Sequence, residues 1–205
     1  ADFIEWKPQA PSGFSAKIRA IALYQQWLAF HQDRLPARIY VDVKRLQWAT
    51  QSVDGEVDQA NLEKQWRALL AEAKGQEVEC VVAHALAQQL NGLQRRKEAR
   101  VIADAAVKAH PQSIFVSLCL SVIEEIDRKE LSLNTERTWN AAGAEFSATY
   151  RNISKVWFRL YPVEWSPQMD LGIEDQKYDA LIATAAVKEW SVDLAPTDDF
   201  LPRTL

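Results

Sequence analysis

Residues 80–111 read CVVAHALAQQLNGLQRRKEARVIADAAVKAHP, and their spacing decides the fold. Val78, Val81, Val82, Ala85, Leu86 and Leu90 recur at intervals of three and four, the period of a helix with one buried side, so residues 77–91 predict a helix. The basic run Gln94-Arg95-Arg96-Lys97 follows as a turn. Ala99, Ile102, Ala103, Ala106 and Val107 then form a second stripe of mostly small side chains, which lets two helix axes approach closely. Pro111 has no backbone N–H to continue the helix and stops it. Two helices with a short connection pack antiparallel.

The same period runs outward on both sides. Upstream, Asp58 stands as an N-cap before the stripe Leu62, Trp66, Leu69 and Ala73, and Gly75 falls where a helix C-cap belongs. Residues 37–50 fit two periods: Ile39, Val41 and Val43 alternate like a strand, while Ile39, Val43, Leu46 and Ala49 fit a helix, which length favours. Ile18, Ile21, Tyr24 and Leu28 mark a further helix that Pro36 ends or redirects. Downstream, Ile114–Ile123 is nearly continuous apolar and exceeds ten residues, so it reads as a buried helix. Asn134 caps a long helix from about Thr135, with Trp139, Phe146, Tyr150, Ile153 and Trp157 on its apolar side. A last helix is expected near Ile173 to Trp190.

The expected fold class is therefore all-α: seven or eight antiparallel helices as a helical-hairpin solenoid or bundle. Val156–Tyr161, rich in β-formers, leaves room for one short β element. The expected organisation is an extended arm over 1–13, a single helical domain over 14–193 and an extended tail over 194–205.

The stretch 80–111 resembles a tetratricopeptide repeat, a helical hairpin of about 34 residues. Leu86 and Leu90 occupy large apolar positions of its first helix, Ala99 and Ala106 its two small positions, and Pro111 its closing proline. Ala83, Ala87, Gln94 and Ala103 depart from the pattern, standing where the family has an aromatic, two glycines and a second aromatic. The following 34 residues do not repeat the pattern. The resemblance implies that the first helix of the hairpin lines a concave ligand surface, onto which His84, Gln88 and Asn91 would point. Where the family grips peptide carboxylates it uses Lys and Asn at the positions of His84 and Gln88, so that activity is not implied.

Composition narrows the function classes. The 205 residues are 48% hydrophobic and 25% charged, too apolar for a disordered chain. No run of 18 apolar residues occurs, so no membrane partner is expected. The net charge of −4 argues against general affinity for nucleic acid, which needs a concentrated basic surface. Cys80 and Cys119, far apart in apolar surroundings, read as buried free thiols suited to a reducing compartment, and the N-terminus has no apolar core of a secretory signal. A cytoplasmic location is the expectation.

Chemical motifs are scarce. There is no glycine-rich phosphate loop, no paired Cys-x-x-Cys and no nucleophile elbow. His31, His84 and His110 lie 53 and 26 residues apart with no neighbouring ligand at local spacing, so neither a metal nor another cofactor is expected. His110 at a helix end suits the helix dipole. Glu124, Glu125 and Asp127 read as a solvated helix end, and Glu174, Asp175 and Asp179 as the acidic start of another. Arg151, Lys155 and Arg159 recur every four residues beside Tyr150, Trp157 and Phe158, a basic stripe able to dock an acidic partner or hold phosphate and stack bases. The eight Trp residues are scattered, and Trp6, Trp165 and Trp190 lie near element ends, where an indole can anchor an interface.

Three functional readings follow. The first is a non-catalytic helical scaffold or adaptor that binds a protein partner through His84, Gln88, Asn91, Arg151, Lys155 and Arg159. The alternative is a subunit of a nucleoprotein assembly that contacts nucleic acid through the basic-aromatic helix face. The third is an enzyme whose carboxylates or histidines converge from distant segments. The oligomeric state is left open.

Overall fold

The computed structural model describes residues 3–5, 16–52, 58–135, 145–162 and 175–205. They form helices α1 (Ala16–Phe30), α2 (Leu35–Ser52), α3 (Gln59–Glu72), α4 (Glu79–Gly92), α5 (Arg96–Ala109), α6 (Val116–Asp127) and α7 (Asp175–Ile182). Five strands accompany them: β1 (Glu130–Thr135), β2 (Phe146–Arg151), β3 (Lys155–Leu160), β4 (Lys188–Asp193) and β5 (Arg203–Thr204). Contacts divide the chain into a helical unit, Ala1–Arg128 with Asp199–Leu201, and a sheet unit, Lys129–Asp198 with Pro202–Leu205.

In the helical unit, α4 packs against α2, α3, α5 and α6, and α5 packs in turn on α6. The hairpin α4–α5 turns through Leu93, Gln94 and Arg95, where the Arg95 N–H donates to Leu90 O at 2.9 Å. Ala99, Ala103 and Ala106 are buried on α5, and the absence of larger side chains there is what lets the two axes approach. Leu86 and Leu90 are 0% exposed on the facing side. Asp58 caps α3 by accepting from Asn61 N–H at 3.0 Å. Gly75 takes a φ of +79°, which glycine adopts without the Cβ clash other residues meet, and its N–H donates to Glu79 Oε2 at 2.8 Å. Residues 37–50 are helical: Ile39, Val43 and Leu46 are all buried, on one side of α2.

The all-α expectation is overturned by two antiparallel sheets, one ordered β1-β2-β5 and the other β3-β4. The long helix expected from Thr135 is absent where the chain is described. Trp139 lies outside the described residues, Phe146–Arg151 is β2 and Lys155–Leu160 is β3. Period two wins here. Phe146, Ala148 and Tyr150 line one side of β2, opposite Thr135, Leu133 and Leu131 of β1. Asn152, at φ +57°, breaks the run between β2 and β3; Asn tolerates this left-handed conformation better than most residues. The last helix is also shorter than expected, because α7 ends at Ile182 and Lys188–Asp193 pairs with β3 as β4.

The core of the sheet unit gathers Tyr150, Val156 and Leu194, with Ile153, Phe158 and Val192 packed against them. Phe158 stacks on Trp190 with centroids 5.1 Å apart, and Phe146 leans on Phe158 at 5.0 Å. None of the described helices is long and apolar enough to cross a membrane.

Candidate functional site

Helix α4 is wrapped so closely that most of its side chains are buried: Cys80, Val81, Val82, Ala83, Ala85, Leu86, Ala87 and Leu90. His84, Gln88 and Asn91 lie on the stripe that reaches solvent, Gln88 fully and the other two half-buried. Sequence periodicity places these three residues on one face, and the structure brings them together there. Burial pushes the His84 imidazole below its ordinary pKa, and the charge of Lys44 on α2 adds to the effect, so the neutral ring is favoured. Lys44 itself lies over the Tyr40 ring at 5.4 Å. On the other flank Asn91 Nδ2 donates to Glu125 Oε1 of α6 at 3.1 Å. That bond fixes the amide orientation and leaves Asn91 Oδ1, buried, with no hydrogen-bond partner among the described residues.

Arg151, Lys155 and Arg159 do not form the expected helical stripe, because they sit on two strands of different sheets. Arg151 ends β2 and is only 4% exposed, with Nη2 donating to Glu130 Oε1 at 2.6 Å. Lys155 and Arg159 share a face of β3 with Trp157 between them, each paired across the sheet, to Asp193 and Glu189 at 3.2 Å. Trp157 is 70% exposed, with the Lys155 ammonium 5.7 Å from its ring centroid. The basic turn of the hairpin is also committed. Arg95 pairs with Glu63 and Glu98, and Arg100 holds Asp127 through two bonds of 2.7 and 2.8 Å. Opposite charges in direct contact cancel the local field that phosphate recognition requires.

A groove of about 760 Å³ in the sheet unit was not foreseen from sequence. Leu133, Phe158, Tyr161, Leu181, Ile182 and Trp190 line it, with the Arg159–Glu189 pair at its rim. Its walls come from four separate stretches of chain, so no local pattern announces it. The available signal was the alternation of Trp190 and Val192, which marks a strand.

Both cysteines and His110 are engaged within the helical unit. Cys119 donates to Cys80 O at 3.3 Å, and burial, with the neighbouring Cys80, pushes its thiol up to about 12. Burial likewise raises Cys80, which disfavours in both thiols the thiolate that nucleophilic chemistry needs. His110 caps α5 and shares a 2.8 Å contact with Glu79 Oε2. Of the acidic clusters, Glu125 and Asp127 are engaged as described, and Glu174 lies outside the described residues, as do Trp6 and Trp165. Among the described residues no three His, Cys, Asp or Glu side chains gather as a metal site. Comparison of the chain with family models, curated proteins and solved structures finds no match.

Proposed function

We propose that this chain is a non-catalytic adaptor that binds a protein partner along the open stripe of α4. The observation that carries this reading is the stripe itself: His84, Gln88 and Asn91 reach solvent together on a helix that is buried on its other sides. The exposed Gln88 amide offers both a donor and an acceptor to a peptide main chain laid along the stripe. The packing of α4 against α2 and α6 supports a tetratricopeptide-like stacking of first helices, the arrangement in which such stripes face a ligand. Free, buried Cys80 and Cys119 fit a reducing compartment such as the cytoplasm. The nucleic-acid alternative loses the feature that motivated it, since Arg151, Lys155 and Arg159 are each engaged by a carboxylate.

The test is co-purification from the native host with the unaltered chain and with a His84→Ala, Gln88→Ala, Asn91→Ala triple variant of equal melting temperature. At least one protein retained by the first and lost by the second is the expected result. An identical retained set for both chains overturns the reading.

A further inference from the structure

Residues 199–201 are seated on the helical unit. Phe200 packs against its core, its carbonyl accepts from Arg96 Nη1 at 3.1 Å, and the Arg100 guanidinium lies 5.8 Å from its ring centroid. The Asp199 carboxylate accepts from Leu201 N–H at 3.0 Å and shapes the turn. Two features show that this occupant fits imperfectly. Phe200 has a φ of +60°, a left-handed backbone that a bulky aromatic residue rarely adopts. Arg96 Nε is buried and has no acceptor among the described residues.

We propose that the Arg96–Arg100 face of α5 is a docking site for a partner peptide in which an acidic residue precedes an aromatic and an aliphatic one, and that Asp199–Phe200–Leu201 holds it until such a partner displaces it. The chemistry is complementary at each position. The unmet guanidinium donor takes a carboxylate, Arg100 takes the aromatic face, and the core beneath takes the ring edge. A partner in trans satisfies these groups with an unstrained backbone, which is how it competes with a segment that is already tethered. The site lies on α5 rather than on the α4 stripe, so it stands or falls separately from the adaptor reading.

The probe is a fluorescent peptide, Thr-Asp-Asp-Phe-Leu-Pro, titrated against the full chain and against Phe200→Ala. Vacating the site is expected to tighten binding roughly ten-fold or more, because a tethered competitor is removed. Adding Arg96→Ala to Phe200→Ala is expected to return binding to that of the unaltered chain. Equal affinity for both chains, or no binding to folded Phe200→Ala at about 1 mM peptide, the effective concentration of a short tether, overturns the proposal. A second readout does not depend on that variant folding: 4-fluorophenylalanine placed at position 200 of the otherwise native chain. Its fluorine resonance is expected to move saturably to a solvent-exposed position as peptide is added. A resonance that stays fixed, or that moves only with protein concentration as copies exchange the segment, overturns the proposal as well.

Discussion

Arg151 and Glu130 face each other in the register of β1 and β2, and the buried guanidinium of Arg151 donates to the half-exposed Glu130 carboxylate at 2.6 Å. The pair is asymmetric. Glu130 can be rehydrated if its partner is lost, whereas Arg151 cannot. Glu130→Ala is therefore expected to cost about 1.5–3 kcal/mol, the range for a hydrogen bond to a charged group whose partner stays buried. Arg151→Met, which fills similar space without a charge, is expected to cost less. Urea unfolding, with hydrogen exchange at the β2 amides, measures both. A methionine variant less stable than Glu130→Ala would show that the ion pair stabilises the sheet by more than the buried charge costs.

Arg151 also shows where sequence reading stopped. Tyr150, Ile153 and Trp157 satisfy a helical period while Phe146, Ala148 and Tyr150 satisfy a strand period, so the local pattern cannot choose. The choice is made by residues far along the chain: Arg151 meets Glu130, and Val156 meets Val192. Such partners are invisible to a window of 15 residues. The α4–α5 hairpin was legible for the opposite reason, since its contacts are local and its alanines announce them. His84, Gln88 and Asn91 were legible because a helix buried on its other sides leaves one predictable stripe. The aromatic groove was not, because Leu133, Phe158 and Trp190 converge only after both sheets form.

Gln94 takes a φ of +62° in the turn between α4 and α5, at the position where the tetratricopeptide resemblance has a glycine. A left-handed residue with a Cβ costs about 1–2 kcal/mol, and glycine's greater freedom in the unfolded chain returns about 0.5–1 kcal/mol of that. Gln94→Gly is thus expected to stabilise the helical unit by roughly 0.5–1 kcal/mol. A lower melting temperature for Gln94→Gly would show that the glutamine side chain contributes something this geometry does not account for.

Glu63, Arg67, Arg95 and Glu98 close a ring of alternating charge on the surface of the helical unit. The hydrogen bonds from Arg95 and Arg67 hold Glu63 below the ordinary carboxylate range. Partial burial pushes Glu98 up, but the same two arginines outweigh it and leave that group lowered as well. A carboxylate lowered by folding lends stability that is whole above its unfolded value, 4.5, and is lost as pH falls through the lower folded value. Acid unfolding of the unaltered chain is expected to steepen below that point, and Glu63→Gln with Glu98→Gln to flatten it. Both effects shrink in about 1 M salt, where screening acts over about 3 Å. At pH 7 the double variant is expected to lose only about 1 kcal/mol, as is usual for exposed pairs. Calorimetry across the pH range at low and high salt decides it; curves that coincide remove the ring from the account.

Cys119 carries the opposite pH sign. Burial first, then the neighbouring Cys80, keeps its thiol neutral to about 12, against an ordinary value of 9.0, while a main-chain hydrogen bond from His84 opposes the shift. The folded chain therefore holds a proton that the unfolded chain releases. The stability this lends is complete below pH 9.0 and drains away as pH rises toward about 12. Stability measured by urea unfolding is expected to decline over that window more steeply in the unaltered chain than in Cys119→Ala, where only lysines, tyrosines and Cys80 remain to titrate. The same burial makes a kinetic prediction. A thiol reagent at pH 8 should modify Cys80 and Cys119 only as fast as the helical unit opens, so the labelling rate should climb with urea and lie near zero without it. Complete modification within minutes in the absence of denaturant would mean that α4 and α6 part readily, and that the core beneath the proposed binding stripe is not the rigid support the adaptor reading assumes.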